Sequence, residues 1–252
     1  MKILAIESSG LVAGVAVAED DVLLIEYTMN YKKTHSQTLL PMLEDAAERI
    51  ELDLQTIDAI AVTAGPGSFT GLRIGAATAK GLGLALDKPL IAVPTVDALA
   101  YNLWDSRRMV CPIMDARRSQ VYTGLYAFEN GEMEVLRRQC ALGIDELVDD
   151  INLLSERAKA FCPEGEASGD EGVVFLGDGV PVYRERILER IAVPVQFAPL
   201  HMNRQRAASL AALAMQYAVQ GRYTDADSFS PDYLRLSQAE RERLQKEKEM
   251  QA

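Results

Sequence analysis

Gly65-Pro66-Gly67-Ser68-Phe69-Thr70-Gly71-Leu72-Arg73-Ile74-Gly75 joins the apolar run Asp58-Ala59-Ile60-Ala61-Val62-Thr63 to a segment that keeps a helical period to about Leu86. Three glycines and a proline in its first seven residues fix a tight backbone path. Ser68 or Thr70 can cap the helix that follows, and free N–H groups at such a start also suit an anion. It is not a Walker loop, because no Lys-Ser or Lys-Thr follows the last glycine. Inside the helix Gly71, Gly75, Ala79 and Gly83 recur every fourth residue, beside a second stripe of Leu72, Ala76 and Lys80. Helical glycine costs about 1 kcal/mol relative to alanine. The small-residue stripe therefore reads as a place of close approach, either to this chain's own sheet or to another subunit.

Upstream, Lys2–Glu7, Ala13–Ala18 and Val22–Tyr27 are three short apolar runs separated by turn-sized gaps, the pattern of an antiparallel meander. From Ser36 to Ile50 the period becomes helical, with Leu39, Leu43 and Ala46 or Ala47 on one stripe and Ser36 or Thr38 as the cap. Downstream, Leu90–Val93 is a strand and Val96–Trp104 a helix. Strands in a meander, then strand and helix alternating, make a mixed α/β domain over residues 1–106. A second cycle occupies 107–236. Its strands are Cys111–Asp115, Gln120–Phe128, Glu132–Arg138 and Val173–Leu176, and its helices are Ile144–Lys159 and Arg206–Gln220. Pro163–Gly172 reads as an acidic surface loop, and 237–252 as a charged tail.

The 252 residues carry 26 basic and 37 acidic side chains, a net charge of −11, which argues against free-standing nucleic-acid binding. No run reaches the ~18 apolar residues of a membrane span, and the first apolar run stops at Glu7, too early for a signal peptide. Cys111, Cys140 and Cys162 are far apart and odd in number, as expected of reduced thiols in a cytoplasmic chain. His35 and His201 have no partner at ligand spacing, so no metal site is expected.

Three turns and one strand-end carboxylate are candidate sites. Ser8-Ser9-Gly10 is either a phosphate cradle or a plain hairpin turn, and Gly177-Asp178-Gly179 is either a phosphate loop or a turn. Glu7 is either a magnesium-water carboxylate or a solvated edge residue. Asp115-Ala116-Arg117-Arg118 either holds a polar ligand or is a salt-bridged surface turn. Residue chemistry alone does not give a reaction.

The whole pattern resembles the TsaB (YeaZ-type) family, a subunit of the machinery that makes threonylcarbamoyladenosine in tRNA. The residues that carry the resemblance are Ile6-Glu7-Ser8-Ser9, the segment Gly65–Gly75, and Ala79-Lys80-Gly81-Leu82. Asp115–Arg118 with Val121-Tyr122, Gly177-Asp178-Gly179 and Pro231-Asp232-Tyr233-Leu234-Arg235 add support. Related chains often have Asp and Glu where this one has Glu7 and Gln120.

The resemblance implies an actin/hexokinase/Hsp70-like (ASKHA) fold of two related domains, with the last helix returning to the first. It implies a non-catalytic activator without a cofactor of its own. That activator would bind the catalytic subunit TsaD, and through it the ATPase TsaE, would pair with itself when alone, and would meet tRNA only in the complex. TsaD carries a His-x-x-x-His metal motif where this chain has Thr95 and Leu99. The contact elements implied are the helices Ser36–Ile50 and Phe69–Leu86, through Leu39, Leu43, Ala47, Leu72, Ala76 and Lys80. The alternative is an ATP-dependent phosphotransferase of the same fold. A glycoprotein-type metallopeptidase, a third reading, needs metal ligands this sequence lacks.

Overall fold

The structure is a computed structural model that describes residues 1–31, 34–161 and 172–235. The expected loop 163–172 (except Gly172), Cys162 and the tail 237–252 lie outside the described residues.

The first sheet holds β1 (Lys2–Glu7), β2 (Ala13–Glu19), β3 (Val22–Met29), β4 (Ala59–Gly65) and β5 (Leu90–Pro94) in the order β3-β2-β1-β4-β5. The β1–β2 and β2–β3 pairs are antiparallel, and β1–β4 and β4–β5 are parallel. The second sheet holds β6 (Met109–Asp115), β7 (Gln120–Glu129), β8 (Glu132–Gly143), β9 (Val173–Leu176) and β10 (Val195–Phe197). Its order, β10-β9-β6-β7-β8, repeats the first sheet strand for strand, with the same pairing directions. The architecture is the actin/hexokinase/Hsp70-like one.

The helices are α1 (His35–Arg49), α2 (Phe69–Leu86), α3 (Thr95–Ala100), α4 (Ile144–Phe161), α5 (Val180–Arg190) and α6 (Ala207–Val219). Central strands covered on both faces read as near-continuous apolar runs, and β1 shows why. Ile3 and Ala5 pack toward α6, while Leu4 and Ile6 pack with α1 and α2 residues such as Leu39, Leu43, Ala76 and Ala79. The last helix of each half packs on the other half's sheet. Val96 and Leu99 of α3 join Val110, Met114 and Tyr126 of the second sheet, and α6 covers β1 and β2 of the first.

Several local expectations change. Thr34, not Ser36 or Thr38, occupies the N-cap of α1, and its side chain makes no cap bond. Thr38 Oγ1 instead donates back to the Thr34 carbonyl, because it already lies in the first turn. Ser68 is the cap of α2, accepting from Gly71 N at 3.3 Å. α3 ends at Ala100 and is followed by a tight 3-10 turn, Tyr101–Leu103. α5 and β10 were not expected. α5 keeps only Val180, Tyr183 and Ile187 buried, in an otherwise charged segment, and β10 is three residues long.

The α2 glycines face unequal surroundings. A β-carbon at Gly71 would lie 2.1 Å from the Ser8 carbonyl oxygen, whereas one at Gly81 would meet nothing within 4 Å. Gly81→Ala should therefore stabilise the chain by about 0.5–1 kcal/mol. Gly71→Ala should cost about 2–4 kcal/mol or prevent folding, because a backbone carbonyl cannot swing aside. Denaturant titration of the two variants checks the contrast, and equal midpoints would contradict it.

Candidate functional site

β1, β4 and β6 end on one side of the molecule, and the turns that follow them meet across a cleft of about 330 Å³. Its walls include Ser9, Gly10, Gly67 and Ser68 from the first half and Asp115, Arg117, Tyr122 and Asp178 from the second. Two glycine turns occupy matching places, one after β4 and one after β9. Gly65 has φ +109° and Gly177 φ +110°, a region only glycine enters freely.

The first turn is pressed down by α2. Ser8 Oγ donates to the Gly71 carbonyl at 2.9 Å, and Ser68 N donates to the Ser9 carbonyl at 2.6 Å. Added β-carbons at Gly67 and Gly75 would lie 2.2 Å from Ser9 O and 2.1 Å from Ser8 Oγ, so bare backbone here is what lets the turn and the helix touch. Ser9 spends its N–H and its hydroxyl on Glu7 Oε1, at 2.7 and 2.5 Å. Glu7 is 1% exposed. Burial pushes its carboxyl up to about 7, and the bonds from Ser9 only partly offset that. Thr63, one position beyond the Ile6–Val62 pair, is buried on the adjacent strand with its hydroxyl turned to the Glu7 carboxyl. Glu7 is thus a sealed carboxylate, and neither the magnesium-water nor the edge-strand expectation describes it.

Across the cleft, Asp178 Oδ1 accepts from Asp115 N at 3.1 Å, and burial raises its carboxyl despite that bond. Asp115 pairs with Arg117 and accepts from the Tyr183 hydroxyl, both at 3.1 Å. Arg117, Arg118 and Ser119 follow one another in the left-handed region, a strained run that turns both arginines outward. Gly177 and Gly179 sit on the Ile113 carbonyl.

Of the six residues expected to bind a cofactor, the cleft brings together Ser9, Gly10 and Asp178. Ser8 is buried under α2, and Gly177 and Gly179 are packing positions. A nucleotide polyphosphate, which the fold implies, does not fit this lining. The serine hydroxyls are committed internally, two carboxylates face the space, and Arg117 is paired. Among the described residues no group of three or more His, Cys, Asp or Glu side chains can hold a metal.

The interface expectation also needs correction. Leu39, Leu43, Leu72 and Ala76 are buried in the chain's own core, because α2 packs against both the sheet and α1. Ala47 is half-buried. Lys80 Nζ is bound to the carbonyls of Asp227 and Phe229 at 2.8 and 3.0 Å. The exposed face of α2 is Arg73, Ala77, Gly81, Leu84 and Ala85, beside Leu40 and Glu44 of α1. Sequence spacing shows stripes but not which stripe faces out.

Thr95 and Leu99 are 0 and 1% exposed, and all of α3 is buried. Two features lay outside the expectations. Asp97 accepts from the Tyr126 hydroxyl at 2.7 Å and the Tyr217 hydroxyl at 3.1 Å, linking α3 to β7 and α6. An Asp with no local partner inside an apolar helix was the available signal. The Pro231–Arg235 segment straps the site. Asp232 N donates to Ala64 O at 2.6 Å, the Tyr233 ring packs tilted against Phe69 with centroids 4.8 Å apart, and Arg235 donates to the Ala116 carbonyl in the other half.

Two matched mixed sheets around a cleft between their strand ends describe an ASKHA-fold protein. A family profile described as TsaD, tRNA N6-adenosine threonylcarbamoyltransferase, matches residues 23–243. The tRNA threonylcarbamoyladenosine biosynthesis protein TsaB of Bacillus subtilis is 32% identical over 98% of this chain and 100% of its own length. TsaB of Escherichia coli is 36% identical over 52% of this chain and 58% of its own length. The solved structure of YeaZ from Pseudomonas aeruginosa superposes with a TM-score of 0.73 at 27% identity, covering 92% of this chain and 99% of that one. The chain belongs to the TsaB family of tRNA threonylcarbamoyladenosine biosynthesis proteins.

Glu7 has a measurable consequence. Its folded-state pKa of about 7 lies above the ordinary 4.5. The unfolded chain therefore loses this proton first, and stability falls as pH rises from about 4.5 to about 7, by on the order of 3 kcal/mol. Glu7→Gln keeps an acceptor for Ser9 and removes the charge. Its melting temperature should match wild type near pH 5 and exceed it above pH 7, as calorimetry across that range would show.

Proposed function

We propose that this chain is a non-catalytic activator subunit of threonylcarbamoyl transfer to adenosine N6 beside the tRNA anticodon. It binds TsaD through residues 1–106, and TsaE joins that pair. It pairs with itself when alone, meets tRNA only within the complex, and works in the cytoplasm. The observation that carries the reading is the start of α3. Thr95 and Leu99 stand where the resemblance puts two histidines in TsaD, and a buried hydroxyl and a leucine cannot replace two imidazoles on a transition metal. The full-length match to TsaB supports the role in the same pathway.

Incubated with threonylcarbamoyl-adenylate, tRNA and a divalent metal, the chain alone should give no modified tRNA, whereas adding TsaD and TsaE with ATP should. Product from the chain alone would refute the reading.

The corrected helix faces make a second, sharper expectation. Ala77 is exposed on α2, and Ala76 is 6% exposed in the core. Ala77→Arg should melt within a few degrees of wild type, yet raise the dissociation constant for TsaD at least ~100-fold, about 3 kcal/mol, by forcing an unpaired charge into a helix seam. Ala76→Arg should instead unfold the first half. Sedimentation of each variant with TsaD, alongside thermal melts, separates the cases. Undiminished pairing by Ala77→Arg would place the interface elsewhere.

A further inference from the structure

A buried carboxylate that does no chemistry needs another account, and its connections supply one. Glu7 is joined by two hydrogen bonds to Ser9. The Ser9 carbonyl accepts from Ser68 N, and Ser68 caps α2. Three short links therefore run from the carboxylate to the first turn of the helix whose outer face the proposed function assigns to TsaD. We propose that Glu7 is a positioning residue for this helix, and that the proton it carries keeps the Ser9–Ser68 clasp closed.

The physical reason is linkage. Opening the clasp admits water to Glu7, and a hydrated carboxylate ionises far more readily than a buried one. Between the ordinary carboxylate range, where the opened turn ionises, and about pH 7, where the closed state does, rising pH pulls the turn open. Above about 7 both states are ionised and the effect levels off, and below the window both hold the neutral acid.

Other ionisable and charged groups face the same turn, Asp178 with its raised carboxyl among them. Its own turn offers Ser8 and Ser9, and β4 offers the uncharged Thr63. From α1, His35 Nε2 donates to the Gly10 carbonyl at 2.9 Å, so His35 serves as the control. On the segment leading into α6, Arg204 is bound to the Gly177 and Asn203 carbonyls, Gln205 is neutral, and Arg206 is paired with Glu26. From the second half, Asp115, Arg117 and Asp178 face the cleft.

The test compares wild type, Glu7→Gln and His35→Gln between pH 5.5 and 8.5. Two quantities are read: amide protection of residues 66–72, corrected for intrinsic exchange, and affinity for purified TsaD. In wild type, protection should fall about tenfold or more between pH 5.5 and about 7 and level off above it, and affinity should fall over the same range by a smaller factor. Glu7→Gln should hold the low-pH values throughout, and His35→Gln should follow wild type. A wild-type profile without the step, or a Glu7→Gln profile that keeps it, overturns the proposal.

The inference rests on the proposed function only for the affinity arm. A pH step in protection with no TsaD binding at any pH would sink the partner assignment while leaving the clasp intact. Should Glu7→Gln fail to fold, Ser9→Ala removes one bond that favours the ionised form. The midpoint of the protection profile should then move to higher pH, and an unmoved midpoint overturns the proposal.

Discussion

Two serines pressed against a helix and the loop before it, where three glycines leave room, hold the first half of this chain in shape. Ser8 and Ser9 reach the backbone of α2 and the loop before it only because Gly67, Gly71 and Gly75 leave room. Once the helix lies that close, its orientation follows. Leu72, Ala76 and Ala79 must enter the core with Ile6 and Val62, and Arg73, Ala77 and Leu84 must face out. The helical penalty of the glycines is offset by packing that no larger residue permits. The same contact takes up the Ser8 hydroxyl, while the Ser9 hydroxyl turns to Glu7.

The two halves share a topology but not an electrostatic arrangement. Gly65 and Gly177 occupy equivalent turns with nearly equal φ, and each lets backbone approach backbone. The carboxylates at the ends of β1 and β6 differ. Glu7 is sealed under α2, whereas Asp115 stays at the cleft wall, with Arg117 and Tyr183 as partners. The strap through Asp232, Tyr233 and Arg235 touches both halves, so the motif near the end of the chain acts at the cleft, far from it in sequence.

How much of this is legible in the sequence depends on range. The first three strands and the Phe69–Leu86 helix follow from local period and turn chemistry, and of the two expected caps, Ser68 and Thr70, the structure uses Ser68. α5 is missed because its three buried residues are diluted by Arg184, Glu185, Arg186 and Glu189, and β10 because three residues carry no period. The site is less legible. Ser8-Ser9-Gly10 and Gly177-Asp178-Gly179 are visible as turns, but whether their hydroxyls and amides face a ligand or the chain itself is a long-range matter. Ser8 is answered 63 residues later, by Gly71. The partner stripe fails for the same reason. Spacing separates Ala76 from Ala77 by one residue and cannot say which of them the sheet covers.

The exchange of end helices between halves bears on how the chain is made. The first sheet is complete at Pro94, yet the helix that covers its β1–β2 face ends at Val219. At roughly 5–20 residues per second, that face stays bare for about 6–25 s of synthesis. Ile3, Ala5 and Ala16 wait in the open while the whole second half is translated. The two halves cannot ripen one after the other. Apolar sheet left uncovered for that long is prone to aggregation until the second half arrives.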